Sequence, residues 1–271
     1  MIHRGITVAL LAAIALGLGL AGPVAADEKE PDWGAFQVGD KRSGYTFAIE
    51  STRAMQDDEF ENPGYIWVEE GEELWEVADG AEGKACADCH GDAADSMAAV
   101  GATYPTFAAE LGKPINVEQR INQCRVERMG AEAWKWESRA LLAMTIYVKN
   151  QANGKPVDVA LGDELMPFWE KGKAFYEQRR GQLDLACVHC HIDNEGGQLR
   201  ANILSQGQPN GFPLYRLKWQ KVGSLHRRFR GCNSQVRAEP YAYGADEYVN
   251  LELFLTHRAN GLPVETPAVR N

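Results

Sequence analysis

Cys187-Val188-His189-Cys190-His191 and Cys86-Ala87-Asp88-Cys89-His90 share the pattern Cys-x-x-Cys-His. This pattern is typical of c-type haem attachment: both thiols form thioethers with the porphyrin vinyl groups, and the histidine becomes the proximal iron ligand. One copy would also fit a redox Cys-x-x-Cys pair. Two copies, each with its own histidine, in a chain of only 6 cysteines favour two covalently bound c-type haems.

Residues 1–26 have the features of a cleaved secretory signal peptide. A short charged start, His3 and Arg4, precedes an apolar run from Ile6 to Leu20, and Val24-Ala25-Ala26 offers a small-residue cleavage site. The alternative, a retained membrane anchor, requires a longer apolar run. We therefore expect export to the periplasm, where c-type haem is attached, and no membrane association after cleavage.

The charge of the chain excludes some classes of partner. Its 271 residues carry a formal net charge of −10, and haem propionates would make it more acidic. A global role in binding nucleic acid or anionic membranes is therefore not expected. The length is sufficient for two domains that each bury a haem.

The remainder of the chain has the pattern of a duplication. In each half a predicted helix leads into a haem motif, a loop-rich stretch and one further cysteine follow, and a closing helix ends at Asn-Gly. The closing hexapeptides, Ala152 to Val157 and Ala259 to Val264, are nearly identical. Helices are predicted over about residues 65–78, from 117, and over about 133–150, 166–180 and 246–258.

These patterns predict a mainly α fold. We expect two tandem cytochrome c-like helical domains with long loops, residues 65–158 around the first haem and residues 159–271 around the second. An irregular N-terminal arm, residues 27–64, precedes them.

The candidates for the sixth ligand of each haem iron can be reduced by elimination. No methionine follows Met166, so the second haem has His226, Cys232 and His257 as candidates. After thioether formation, Cys124 and Cys232 are left as one free thiol in each half, at a similar place between haem motif and closing helix. A thiolate ligand favours the ferric state and lowers the reduction potential relative to methionine.

Two alternatives stay open for these thiols. In an oxidising compartment Cys124 and Cys232 could form a disulfide instead. For the first haem, Met129 is a rival ligand, whereas Met97 follows His90 too closely to reach the opposite face of the porphyrin.

Residues 200–238 contain no aspartate or glutamate. Guanidinium groups beside a haem-linked thiol are suited to holding a small oxyanion, because arginine offers rigid paired donors. The alternative is a solvated loop or a docking patch for an acidic partner. If the segment is helical, Arg228 shares a face with Cys232, and spacing does not exclude Arg227 or Arg230. The basic residues are Arg200, Arg216, Lys218, Lys221, Arg227, Arg228, Arg230 and Arg237.

The haem motifs, the two free cysteines and the segment Arg227-Arg228-Phe229-Arg230-Gly231-Cys232 together resemble the SoxA family, the diheme subunits of the SoxAX cytochromes of bacterial thiosulfate oxidation. Ser43-Gly44-Tyr45-Thr46-Phe47 and Asn62-Pro63-Gly64 are similar to that family as well, so the resemblance spans essentially the whole mature chain.

The resemblance implies an L-cysteine S-thiosulfotransferase. Such proteins pair with a monohaem cytochrome, SoxX, and join thiosulfate to a cysteine of the carrier SoxYZ. The family's ligands correspond to His90 and Cys124 for the first haem, and to His191 and Cys232 for the second. The family's persulfide-bearing catalytic cysteine corresponds to Cys232, and its substrate-binding arginine to Arg228.

Two other functions would use the same features, namely two c-type haems, a cysteine-ligated iron and a basic pocket. A thiosulfate dehydrogenase would form tetrathionate without a protein acceptor, and a periplasmic electron carrier would use the thiolates only to set potentials. A peroxidase is disfavoured because both irons have internal candidates for the sixth position.

Overall fold

The computed structural model of the protein describes Met1 and residues 31–271, so the predicted signal peptide lies, apart from Met1, outside the described residues. Residues Trp33–Asn271 form one compact unit. Within residues 31–271, every helix is too short or too polar to cross a bilayer.

The fold is mainly helical, as predicted, with short strands in the loops. The helices are α1 Glu50–Asp57, α2 Tyr65–Glu76, α3 Cys86–His90, α4 Ala93–Ser96, α5 Val100–Thr103, α6 Val117–Arg128, α7 Arg139–Asn150, α8 Met166–Glu177, α9 Cys187–His191, α10 Leu225–Gln235 and α11 Asp246–Arg258. The strands are β1 Gln37–Val38, β2 Lys41–Arg42, β3 Thr106–Ala108, β4 Lys113–Ile115, β5 Gln198–Leu199, β6 Asn202–Ile203, β7 Leu214–Arg216, β8 Lys221–Gly223 and β9 Ala268–Arg270.

Each half is built on one close helix pair, α2 with α7 and α8 with α11. A Cβ added at Gly71 of α2 would lie 2.2 Å from the carbonyl oxygen of Ala143, and one added at Gly172 of α8 would lie 2.0 Å from that of Asn250. Only glycine lets the backbones approach this closely. The same contact at equivalent positions supports the inferred duplication.

The repeated hexapeptides pair with each other. Gly154 N donates to Val264 O and Gly261 N donates to Val157 O, both at 2.8 Å, with an antiparallel bridge between Pro156 and Pro263. An apolar cluster that includes Ala152, Leu253 and Val264 lies beneath this seam. The two copies of the repeat thus hold the halves together.

A hairpin followed by a helix recurs in both halves. In the first, β3 and β4 form an antiparallel hairpin, Asn116 caps the next helix and α6 carries Cys124. In the second, β7 and β8 form the hairpin, Ser224 is the cap and α10 carries Cys232. These hairpins were not predicted, because strands of three residues leave no readable alternation.

The predicted helix over residues 133–150 begins six residues later than expected, at Arg139. Glu137 has a φ of 61°, which a helix does not allow, and Ser138 is the N-cap whose hydroxyl accepts from Leu141 N. The residues before Ser138 form a loop that reaches the second half. The arm predicted to be irregular contains the helix α1, the β1–β2 hairpin and two short 3₁₀ helices, Gly34–Phe36 and Gly44–Phe47. Its Asn62 donates to Pro267 O at 2.9 Å.

Candidate functional site

The second Cys-x-x-Cys-His motif forms the short helix α9, and the loop that follows holds its histidine in place. His191 Nδ1 donates to the carbonyl oxygen of Ser205 at 2.7 Å, which leaves Nε2 as the ring nitrogen available to bind iron. A Cβ at Gly207, whose φ is +73°, would lie 3.0 Å from Cγ of the same ring. The loop therefore fixes both the tautomer and the orientation of the imidazole.

Cys232 lies beside this histidine. Its thiol hydrogen-bonds the His191 ring and is close to both Cys187 and Cys190. Burial on its own would raise the pKa of the Cys232 thiol, but the charge of Arg228, the contact with His191 and the charge of Arg216 outweigh it and lower the pKa to about 7. The protein thus stabilises a thiolate at this position.

Arg228 precedes Cys232 by one turn of α10, so the segment is helical and both side chains lie on one face, the condition under which the sequence pairs them. Among residues 31–271, no side chain makes a hydrogen bond or an ion pair with the Arg228 guanidinium. A half-buried cation with free donors beside a thiol is suited to binding an anion.

Arg216 is a functional candidate that the sequence argument did not single out. It ends strand β7, far from α10 in sequence, yet its charge acts on both Cys232 and Arg228. Burial, together with the charge of Arg228, lowers the pKa of Arg216 to about 10. The strand therefore brings a second cation to the Cys232 site, and only the hairpin geometry reveals it.

The other two predicted substrate arginines have protein partners. Arg227 pairs with Glu137 at 3.3 Å and lies over the Trp219 ring. Arg230 donates to the carbonyl oxygen of Tyr241 and lies over the Tyr243 ring. Their guanidinium groups position loops around α10, so substrate binding by Arg227 and Arg230 stays a prediction.

His226 was a candidate iron ligand on sequence, and the structure excludes it. The ring is 1% exposed, its Nδ1 accepts from Gly244 N at 3.0 Å, and its Nε2 donates to Glu252 Oε2 at 3.1 Å. With both nitrogens occupied, His226 cannot coordinate a metal. His257 lies against Trp169, and burial together with nearby Lys41 lowers its pKa.

The first half has a similar arrangement of thiols. Cys124 on α6 lies near Cys86 and Cys89 of α3, and His90 ends that helix with its ring 5.8 Å from Trp75. Burial raises the pKa of Cys124, despite the opposing charges of Arg120 and Arg128. Met129, the rival ligand, is the buried C-cap residue that follows α6.

All 6 cysteines are free thiols in the structure, which does not support the alternative disulfide between Cys124 and Cys232. Each of these two thiols instead lies beside the motif of its own half. Within the described residues no cluster of three or more metal-ligating side chains occurs, but haem iron needs only two protein ligands, since the porphyrin supplies the others. The histidine and the free cysteine of each half are therefore suited to binding haem iron as its two protein ligands.

The chain is similar to one family of known proteins. Residues 70–157 match the family model described as "SoxA/TsdA, cytochrome c domain". The chain is 49% identical to the "L-cysteine S-thiosulfotransferase subunit SoxA" of Pseudaminobacter salicylatoxidans over 229 residues, 84% of this chain and 80% of that one. It is 46% identical to the protein of the same name from Rhodovulum sulfidophilum over 230 residues, 85% of this chain and 80% of that one.

The chain belongs to the SoxA family. A crystal structure of SoxXA from P. pantotrophus matches it with a TM-score of 0.82 at 40% identity, covering 85% of this chain and 87% of that one. The cytochrome c domain matched over residues 70–157 implies haem as the cofactor, which agrees with the cysteine and histidine side chains of the first half. The family resemblance drawn from the sequence is therefore confirmed.

Proposed function

We propose that this chain is the SoxA subunit of a periplasmic SoxAX-type cytochrome that joins thiosulfate to a cysteine thiol of a carrier protein of the SoxYZ type. The curated relatives carry the name L-cysteine S-thiosulfotransferase subunit, and the matched crystal structure is of SoxXA, which supports a SoxX-type monohaem partner. The division into domains at residues 158 and 159 is part of the same proposal.

Two haems would be held by the residues predicted from sequence. Thioethers would form at Cys86 and Cys89 and at Cys187 and Cys190. His90 with Cys124, and His191 with Cys232, would be the axial pairs. The support is the proximity of each free thiol to the motif of its own half and the fixed tautomer of His191.

One observation carries the assignment of the active site to the second half. Arg228 presents free donors one turn from the Cys232 thiol, and Arg216 adds a second positive charge. Thiosulfate is a dianion whose oxygens accept hydrogen bonds from guanidinium groups. We infer that Arg228 and Arg216 hold the oxygens and direct the terminal sulfur towards Cys232.

The reaction needs both orientation and a path for electrons. Joining the terminal sulfur of thiosulfate to a carrier cysteine forms one sulfur–sulfur bond and releases the thiol proton and two electrons. Haem, when bound, would supply one-electron oxidation, so the removal of two electrons would need the haem held by His191 and Cys232 and a second one, which we assign to the partner cytochrome. Arg228 and Arg216 would neutralise the dianion, which lowers the repulsion when its terminal sulfur approaches the sulfur of the carrier cysteine.

The proposal is tested by thiosulfate-dependent reduction of the haems in the complex with its cytochrome partner. Arg228→Ala should lower kcat/KM for thiosulfate about tenfold or more, because a charged hydrogen bond contributes about 1.5–3 kcal/mol. Arg120→Ala is the matched control, since it removes the residue at the same position of the first half. An unchanged rate in Arg228→Ala would favour the simple electron carrier.

A further inference from the structure

The hairpin and helix around each free cysteine correspond residue by residue in strand register, turn and helix cap. Thr106 pairs with Ile115 and Ala108 with Lys113, as Leu214 pairs with Gly223 and Arg216 with Lys221. Both turns have positive φ at the same place, 64° at Gly112 and 52° at Gln220. The following caps, Asn116 and Ser224, accept from the amides of Gln119 and Arg227.

This correspondence places Arg120 where the second half has Arg228. Each arginine precedes the free cysteine of its own half, Cys124 or Cys232, by four positions on the helix. The charge of Arg120 acts on Cys124 as that of Arg228 acts on Cys232. The first half therefore has the main elements of the same anion site.

The two arginines differ in their partners. Arg120 Nη1 donates to Glu110 Oε1 at 2.9 Å and to Gln123 Oε1 at 2.7 Å, and the guanidinium also hydrogen-bonds the Tyr104 side chain. Gln123 Nε2 donates to the same Glu110 oxygen at 3.0 Å. Arg120 is thus occupied by three acceptors of its own half.

The second half has lost every one of these acceptors. The positions that correspond to Glu110, Gln123 and Tyr104 are Lys218, Gly231 and Phe212, and none of these side chains can accept a hydrogen bond. At the hairpin the charge is reversed, because a carboxylate is replaced by an ammonium. Arg216 further replaces Ala108, which is 1% exposed.

We propose that Glu110 is a specificity residue: its carboxylate occupies, in the first half, the place that a sulfur oxyanion takes in the second, and so confines oxyanion binding to Arg228. This inference rests on the proposed function, since it assumes an oxyanion at Arg228. An oxyanion approaching Arg120 must displace Glu110 and is repelled by the same carboxylate. At Arg228 it meets Arg216, and the position that corresponds to Glu110 holds Lys218 instead of a carboxylate. Two like charges close together cost free energy, so the side chain at position 110 determines whether the first half binds an oxyanion.

The test measures binding of radiolabelled sulfate, a redox-inert sulfur oxyanion, to the oxidised haem-loaded protein by equilibrium dialysis. The variant Tyr104→Phe/Glu110→Lys/Gln123→Ala removes the three side-chain acceptors of Arg120 and places a lysine at the hairpin, as in the second half. It leaves the buried Ala108 unchanged. We expect one equivalent bound by the wild type and two by this variant. Adding Arg120→Ala should return it to one.

Two further variants control for general charge and for folding. Glu73→Lys makes the same change of charge on the exposed face of α2 and should add no equivalent. The reverse substitution, Lys218→Glu, places a carboxylate at the hairpin of the second half and should weaken sulfate binding about tenfold or more, with Lys218→Gln weakening it less. The two Lys218 variants test the role of the charge at this position even if the triple variant does not fold.

The outcomes separate the inference from the proposed function. If the wild type binds no sulfate, or Arg228→Ala leaves binding unchanged, the proposed function is wrong. If the wild type binds one equivalent at Arg228 but the folded triple variant binds no second one, the role of Glu110 is contradicted. Undiminished affinity in Lys218→Glu would contradict it as well.

Discussion

Arg228 and Cys232 lie one helical turn apart on α10, and the guanidinium has no hydrogen-bonding or ion-pair partner among residues 31–271. The equivalent pair of the first half, Arg120 and Cys124, has the same spacing, but Arg120 is occupied by Glu110. The two halves thus hold arginine–cysteine pairs of the same spacing, and only the Arg228 guanidinium is available to bind an anion.

The sixth ligand of the first haem can be tested through its reduction potential. Cys124→Met should raise that potential, because a thioether stabilises the ferric state less than a thiolate does. Met129→Leu is the control and should leave it unchanged. Spectroelectrochemical titration of both haems measures the effect. A potential that moves in Met129→Leu and not in Cys124→Met would make Met129 the ligand.

Gly207 should be required for the orientation of His191. In Gly207→Ala the new methyl group would meet the imidazole at 3.0 Å, so we expect an altered low-spin signal of the second haem in electron paramagnetic resonance. Gly196→Ala is the matched control, because Gly196 has a similar φ of +75° but no heavy atom within 4 Å of an added Cβ. Both share a backbone cost of about 1 kcal/mol. Identical spectra in the two variants would refute this role.

Arg216 should contribute to substrate affinity. Arg216→Ala is expected to raise the KM for thiosulfate about tenfold, since it removes one of two cations facing the anion. Because Arg216 also donates to the carbonyl oxygen of Asn271, Arg216→Lys serves to keep the charge and should restore part of the affinity. Steady-state kinetics with the cytochrome partner measures both. If the lysine variant is no better than alanine, the role of Arg216 is structural.

The buried carboxyl of Glu118 should make stability depend on pH. Burial, reinforced by the charge of Glu252, raises the pKa of Glu118 from 4.5 to about 7, against the opposing charge of Lys149. The folded state then binds this proton more tightly than the unfolded state. The free energy of unfolding therefore falls as pH rises from about 4.5 to about 7 and stays lower above that.

Glu118→Gln should remove this dependence. The variant is expected to be more stable than the wild type at pH 8, by about 2–3 kcal/mol, and nearly equal to it at pH 4. Glu127→Gln, on the exposed side of the same helix, should change neither value. Chemical denaturation at the two pH values measures the difference. Lower stability of Glu118→Gln at pH 8 would show that the ionised carboxylate is needed.

Much of the fold could be predicted from the sequence because its signals are local. The haem motifs, the Asn-Gly helix ends and the spacing of Arg228 and Cys232 each lie within a few residues. The contributions of Arg216 and Glu137 could not be predicted, since a short strand and a loop bring them to α10 from distant parts of the chain. His226 was a reasonable ligand candidate by residue type, and only its two hydrogen bonds exclude it.

The central claim is that the Arg228–Cys232 site transfers thiosulfate to a protein thiol. Mass analysis of the carrier's cysteine peptide, after incubation of the oxidised complex with thiosulfate and carrier, tests it most directly. We expect a thiosulfate adduct on the carrier cysteine with the wild type, and at least about tenfold less with Arg228→Ala. An unmodified carrier together with accumulated tetrathionate would contradict the claim and make the protein a thiosulfate dehydrogenase.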